Sequence, residues 1–328
     1  MYKYLFILLL LNIFIIKNLP FFIKKFNIYD IPDKKRKKQS YKISTIGGFV
    51  IIFNLLSFCL YDFTIGLSES YFLSYRNLFS LYFCGFFIYL VGIFDDKFSI
   101  SANVRLLLCS FIIILSITIN ENLIIQNLRF VLFDKEIQLN KFSIIFTVIS
   151  ILLFINAFNM FDGINLQSGI YSLIFFIYFI VNGINVNFSI IILFSVIVFL
   201  YLNYKNFCYL GNGGAYLLSF LISFLVILNY NFGNIVNVEN ILVMMLIPGL
   251  DMVRVSLNRL INGQHPFIAD RNHIQHLFIK KYSTVKSNLL LMLLILIPIF
   301  LFYIFNAGIG LLIGFLAYLS TIIFLKVS

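Results

Sequence analysis

Apolar runs of about twenty residues recur along this chain from one end to the other, separated by short polar connections. Nothing else in the sequence constrains the fold as strongly. A helix rises about 1.5 Å per residue, and lipid offers its backbone no partner outside the helix itself. About 20 consecutive apolar residues therefore suffice to cross a bilayer, or roughly 17 when packed tightly. Runs of this kind lie near residues 3–23, 46–66, 76–94, 104–120, 141–157, 166–182, 188–204, 214–232, 240–257, 288–305 and 309–326. They predict eleven spans, or ten with a re-entrant piece if the short turn at Asn306-Ala307-Gly308 does not separate two full crossings. The apolar start after Met1-Tyr2-Lys3 lacks a small-x-small cleavage pattern and reads as an uncleaved first helix. Composition agrees: 61% of the 328 residues are hydrophobic and only 11% are charged, with a mean hydropathy of +1.00. A soluble domain carries roughly a quarter charged residues. This chain has too little polar surface to coat a water-soluble globule, which excludes a soluble enzyme, a disordered protein and a disulfide scaffold. The expected fold is an all-α polytopic membrane bundle, one membrane-embedded domain over residues 1–328. Cys59, Cys84, Cys109 and Cys208 lie far apart in or beside apolar runs without metal spacing, and read as small core residues.

The net charge of +11 would suggest a nucleic-acid partner in a soluble protein. In a membrane protein the question is which loops hold the charge, so no nucleic acid is expected. Nine basic residues lie late in the first run or between the first two runs: Lys17, Lys24, Lys25, Lys34, Lys35, Arg36, Lys37, Lys38 and Lys42. If that loop is cytoplasmic, alternation places Lys97, Arg105, Lys205, Arg254, Arg259, Arg271, Lys280, Lys281, Lys286 and Lys326 on the same side. Only Lys3, Arg76, Arg129, Lys135 and Lys141 fall on the other. Nineteen against five predicts the N-terminus outside and the C-terminus inside. The cytoplasmic loops are then those near 24–45, 95–105, 156–166, 203–214 and 254–288. The basic first loop can also attract anionic membrane lipids, although enforcing topology is a sufficient role for it.

The unusual polar residues all fall on that same side. Asp95 and Asp96 end the third run. A helix C-terminus disfavours anions, so a carboxylate pair there needs a compensating cation. Asn156, Asn159 and Asp162 end the fifth run at a spacing of three, which puts them on one helix face. Such a row in lipid is costly unless it lines a filled cavity or bonds to another helix. Gly211-Asn212-Gly213-Gly214 opens the eighth run, where a glycine-rich helix start suits a phosphate but is also a plain turn. Asp251 lies near the end of the ninth. His265, His273 and His276 share one loop with Arg271. With no third close ligand the histidines do not make a zinc site, and with Arg271 they fit anion binding better. Hard carboxylate and amide oxygens suit Mg²⁺, which takes few protein ligands together with substrate phosphates. The residues thus predict one polar, phosphate-handling, Mg²⁺-dependent site built from several helix ends at the inner membrane surface.

Taken in order, Gly47-Gly48, Asp95-Asp96, Asn156 to Gly163, Gly211 to Ala215 and Pro266 to His276 resemble the motifs of the polyprenyl-phosphate N-acetylhexosamine-1-phosphate transferases. That family, glycosyltransferase family 4, includes the phospho-N-acetylmuramoyl-pentapeptide transferases. The resemblance runs from near Asp30 to at least Lys280. It implies ten or eleven helices, a bacterial inner-membrane location, a cytoplasmic active site and frequent homodimers. It also implies a reaction in which undecaprenyl or another polyprenyl phosphate attacks a UDP-N-acetylhexosamine, with release of UMP. By position, Asp95 is the candidate base nearest the lipid phosphate, and Asp96 assists it or joins the Mg²⁺ shell, with Mn²⁺ a possible substitute. Asn159 and Asp162, with Asn156, line the metal and nucleotide pocket; Asp162, Asn212 and Asp96 are the metal ligands. Arg105 meets a phosphate, Gly211 borders the substrate, and Arg271, His273 and His276 bind the diphosphate or sugar.

The segment Pro266-Phe267-Ile268-Ala269-Asp270-Arg271-Asn272-His273 is more similar to the branch that starts O-antigen, teichoic acid or capsule-like glycans. UDP-N-acetylglucosamine is then the default donor. Three positions depart from the family pattern: Asn212 stands for an Asp, Gln275 for a His, and Asn103 for a common Lys. Two other readings follow, a weak or inactive paralogue from Asn212 and Gln275, and a transporter. The transporter reading needs polar residues along a path through the membrane, and here they cluster at one face.

Overall fold

A computed structural model describes residues 2–32, 41–65, 74–264, 266 and 270–327. Lys34, Lys35, Arg36, Lys37 and Lys38 of the basic loop, and His265, lie outside the described residues. Each of the eleven apolar runs is helical. Thirteen α-helices are present among the described residues: α1 (Tyr2–Lys17), α2 (Leu19–Phe26), α3 (Gly47–Ile65), α4 (Tyr75–Phe98), α5 (Ala102–Ile119), α6 (Ser143–Phe161), α7 (Gln167–Val181), α8 (Val186–Tyr204), α9 (Gly211–Asn231), α10 (Val238–Ile261), α11 (Ile274–Lys281), α12 (Thr284–Ile304) and α13 (Ala307–Val327). Two small antiparallel pairs join them: β1 (Tyr29–Asp30) with β2 (Ile43–Ser44), and the hairpin of β3 (Asn127–Phe130) with β4 (Lys135–Gln138). The protein is an all-α, multi-pass membrane protein.

Nine helices among the described residues are long and apolar enough to cross a bilayer. Two of the eleven runs differ from simple spans. The first breaks at Asn18 into α1 and α2, bent by 64°. Pro20 sits in the first turn of α2, where a missing N–H costs nothing but would interrupt a continuous helix. The sixth, α7, has only 15 residues, about 22 Å of helix against a hydrocarbon core of about 30 Å. The last two runs are separate helices folded back on each other: Gly310 lies against Phe302, and Gly314 against Pro298.

Local chemistry sets the helix starts. Ser74, Ser101, Asn237 and Ser283 each accept a backbone N–H three residues on, capping α4, α5, α10 and α12. The chain divides into two compact units, residues 1–123 with 168–225, and residues 124–167 with 226–328. In the first, α3 packs on α4 and α8, and α4 on α5. A Cβ on Gly92 would collide with Gly213 Cα, and one on Gly48 would lie 2.5 Å from Gly214 Cα. Only glycine lets α3 and α4 approach the start of α9 this closely. In the second unit, α10 packs against α6, α12 and α13. Cys84, Cys109 and Cys208 are buried and Cys59 half-buried, all as free thiols, in keeping with small core residues.

Candidate active site

The first unit brings together Asp95, Asp96, Arg105, Gly211 and Asn212. The turn from α4 to α5 is short, so Arg105 lies one turn into α5 beside the end of α4. Its Nη1 is 3.1 Å from Asp95 Oδ2. The same oxygen accepts the Tyr216 hydroxyl at 2.9 Å and the Asn212 side-chain amide at 3.0 Å. Asp95 is buried, and Oδ1 takes none of these three bonds. Asp96 turns instead to the start of α9: Oδ1 accepts the Asn212 N–H at 3.1 Å and Oδ2 the Gly213 N–H at 3.5 Å. Gly211, at φ +74°, makes the left-handed turn that presents those amides.

This arrangement supplies partners that the sequence left open. The carboxylate pair does end a helix, but its compensation comes from the protein: Arg105 for Asp95, and the positive end of α9 for Asp96. The glycine-rich start of α9 is an anion site, and the chain's own Asp96 fills it. Asn212 donates through its nitrogen to Asp95, so its oxygen is the atom turned away from that carboxylate. Tyr216 was not singled out by sequence. Its signal was its place one turn past Gly211-Asn212 on the same helix.

The second unit holds the remaining candidates. Asp162 caps the C-terminus of α6, its N–H bonded to Phe158 O at 3.0 Å. Asn156 is buried and donates one amide N–H to Leu152 O of its own helix at 2.8 Å. Asn159 is half-buried on the same helix. Gln275, fully buried, donates to Met160 O at 2.7 Å, and Gly163 lies against Gln275 and His276. The residue that departs from the family's histidine pattern is thus a tie between α6 and α11.

His273 is also placed differently from the expectation that it meets substrate. Only 5% of it is exposed, and Nδ1 is 2.7 Å from Asp251 Oδ2, with Nε2 3.4 Å from Arg259 Nη2. His276 and Arg271 are half-buried, and His276 Nδ1, Arg271 Nε and Gln275 Oε1 have no hydrogen-bond partner among the described residues. Burial first, then the neighbouring Arg271 and His273, push the His276 imidazole down to about 4. It is neutral at pH 7, offering one donor and one acceptor rather than a charge. Arg254, Arg259 and Asp270 form ion pairs here that sequence did not reveal.

The donors of the first unit, two carboxylates and a carboxamide oxygen, are hard ligands that fit Mg²⁺. Among the described residues no three His, Cys, Asp or Glu side chains converge to hold a metal. The fit is that of an ion with few protein ligands, completed by phosphate oxygens.

Comparison with known proteins bears on the same segments. Residues 78–230, from α4 through α9, match the family model described as glycosyl transferase family 4. Several relatives carry the name undecaprenyl-phosphate alpha-N-acetylglucosaminyl 1-phosphate transferase. That of Salmonella typhi is 26% identical over 285 residues, covering 82% of this chain and 74% of its own. That of Escherichia coli K12 is 25% identical over 286 residues, covering 83% and 74%. That of Haemophilus influenzae is 27% identical over 279 residues, covering 80% and 75%. The resemblance carried by the motifs is thereby borne out: the chain is similar over about four-fifths of its length to polyprenyl-phosphate N-acetylhexosamine-1-phosphate transferases, with the glycosyl transferase family 4 match spanning residues 78–230.

Proposed function

We propose that the protein transfers N-acetylhexosamine 1-phosphate from a UDP-N-acetylhexosamine to a polyprenyl phosphate, releasing UMP. The product starts a lipid-linked surface glycan at the cytoplasmic face of a bacterial inner membrane. The observation that carries this reading is the buried Asp95, held by Arg105, Tyr216 and Asn212 beside Asp96, within the segment that matches the glycosyl transferase family. The names of the relatives make N-acetylglucosamine the default sugar and undecaprenyl phosphate the default acceptor. Neither the inactive-paralogue nor the transporter reading is favoured beside them. The asymmetry of basic residues supports the cytoplasmic assignment and an outside N-terminus.

Phosphoryl transfer depends mostly on positioning and on neutralising charge over the phosphate oxygens. Asp95 Oδ1 is the acceptor available to a lipid phosphate proton. A phosphate monoester is already largely ionised at neutral pH, its second pKa being about 6, so orientation of the nucleophile outweighs deprotonation. Arg105 orients Asp95 and offers its remaining N–H groups to a phosphate. In the second unit, Arg271 and neutral His276 are assigned to the diphosphate or sugar, and Asn156, Asn159 and Asp162 to the nucleotide pocket. The assigned metal ligands of the first unit are Asp96 and Asn212; the resemblance adds Asp162, whose own surroundings lie in the second unit. Bound Mg²⁺, or Mn²⁺, would neutralise phosphate charge and stabilise the leaving oxygen.

Membranes containing the protein should convert labelled UDP-N-acetylhexosamine into butanol-soluble lipid, with UMP released and a requirement for Mg²⁺. Mass spectrometry of that lipid identifies the sugar and the polyprenol together. A folded preparation that yields no lipid product with any such donor would sink the proposal.

A further inference from the structure

Asp251, in the second unit, is a buried carboxylate bonded through both of its oxygens. Its Oδ2 meets His273 Nδ1 at 2.7 Å. Its Oδ1 accepts Arg254 Nη2 at 2.7 Å, the Tyr318 hydroxyl at 3.0 Å and the Ile274 backbone N–H at 3.2 Å. Arg254 also donates through Nε to Tyr318 Oη and through Nη2 to Asn272 O, at 2.8 and 2.7 Å. On the next turns of α10, Arg259 pairs with Asp270 at 2.9 Å and donates to Pro266 O. One face of α10 therefore grips Pro266, Asp270, Asn272, His273 and Ile274. A buried carboxylate, imidazole and guanidinium are costly to desolvate and persist only with such a full set of partners. The bonds converge on the first residues of α11, the helix that carries His276 one turn later.

We infer that Asp251 and His273 are positioning residues: they form a buried strut that fixes the start of α11, and His273 supports the site without touching substrate. The inference deepens the transferase reading and rests on it for its kinetic consequences. His273 has one nitrogen on Asp251 and the other beside Arg259, so no ring atom is left for a diphosphate. The side chains left for a ligand are those one step further out, Arg271 and His276, whose Nε and Nδ1 are unpartnered.

Four forms of the full chain in nanodiscs test this: wild type, Asp251→Asn, His273→Asn and His273→Ala. An asparagine at 273 presents an amide N–H where Nδ1 stands and keeps the bond to Asp251, but lacks any counterpart of Nε2. His273→Asn should stay within about tenfold of wild-type transfer. His273→Ala and Asp251→Asn should lose about 100-fold, shared between a lower kcat and a higher donor KM, as misplacement by about 1 Å does. Amide hydrogen exchange across residues 272–282 should quicken at least about tenfold in those two variants, with Ile274 as direct reporter, and stay at the wild-type rate in His273→Asn. A His273→Asn protein as inactive as His273→Ala, with exchange unchanged, would overturn the inference and make the ring a substrate contact. So would wild-type exchange in Asp251→Asn. If the wild type makes no lipid product while exchange follows the expected pattern, the transferase reading fails and the strut stands.

Discussion

Asp96 caps the helix that begins at Gly211, its Oδ1 accepting the backbone N–H of Asn212 at 3.1 Å across 116 residues of sequence. The carboxylate thus joins the end of α4 to the start of α9 and supplies the negative charge that the helix start favours. Asp96→Asn should lower thermal stability by about 0.5–2 kcal/mol, the range for a helix-terminal charge or cap. It should also reduce transfer at least about 100-fold, the scale for removing a positioned charge. Asp95→Asn and Asp162→Asn should cost as much. Less than about tenfold loss at all three positions would show that the site is misassigned.

The hydroxyl of Tyr216 and the guanidinium of Arg105 share Asp95 Oδ2. Tyr216→Phe removes one hydrogen bond to a charged group, worth about 1.5–3 kcal/mol. Transfer should fall about tenfold or more with the fold intact, as kcat against labelled donor and circular dichroism would report. Unchanged kcat in this variant would mean that Asp95 orientation does not limit the reaction.

Asn212 donates to Asp95 from a position where a carboxylate would repel it. Asn212→Asp should therefore melt at a lower temperature than wild type in EDTA and regain that loss as Mg²⁺ is added, while wild type responds less. Equal Mg²⁺ dependence of melting would argue against this side chain as a ligand. Transfer activity present only in the variant would make the natural chain catalytically silent.

His276 is held down to about 4, mainly by burial, against about 6.5 in an unfolded chain. A group whose folded pKa is depressed contributes stability fully present above its unfolded pKa, and that contribution is lost as pH falls through the folded one. Melting temperature should thus drop between about pH 6.5 and pH 4. His276→Gln should flatten that part of the profile. An unaltered profile in the variant would assign the acid sensitivity elsewhere.

Gly92 lies where a methyl group would meet the backbone of Gly213. Gly92→Ala must push α4 from α9, at a cost of about 1–3 kcal/mol, and should lower transfer by displacing Asp95 and Asp96 with α4. Melting temperature and transfer measured on one preparation check both effects.

Much of the architecture was legible in the chain because spanning a membrane is a local demand. Each apolar run had to satisfy its own backbone, so each became a helix. The two deviations, the break at Asn18 and the short α7, sit where a proline or a run of only 15 helical residues intervenes. The polar clusters were legible too, because polar residues at the ends of apolar runs are conspicuous against lipid. Their partners were not. Tyr216, Arg254 and Arg259 look like ordinary helical residues, and Gln275 looked like a lost imidazole until its amide was seen to tie α11 to Met160.

The sequence by itself determined that this is a multi-pass membrane protein, which runs become helices, and where the unusual carboxylates, amides and imidazoles fall along them. Hydropathy and spacing are properties of neighbouring residues, and lipid enforces them one segment at a time. Only the tertiary structure decided that Asp96 fills the start of α9 and that His273 turns inward to Asp251. Those choices depend on which donors meet each buried acceptor across 116 and 22 residues of chain. A buried charge takes whichever partners packing brings within about 3 Å, and hydropathy along the chain carries no record of that pairing.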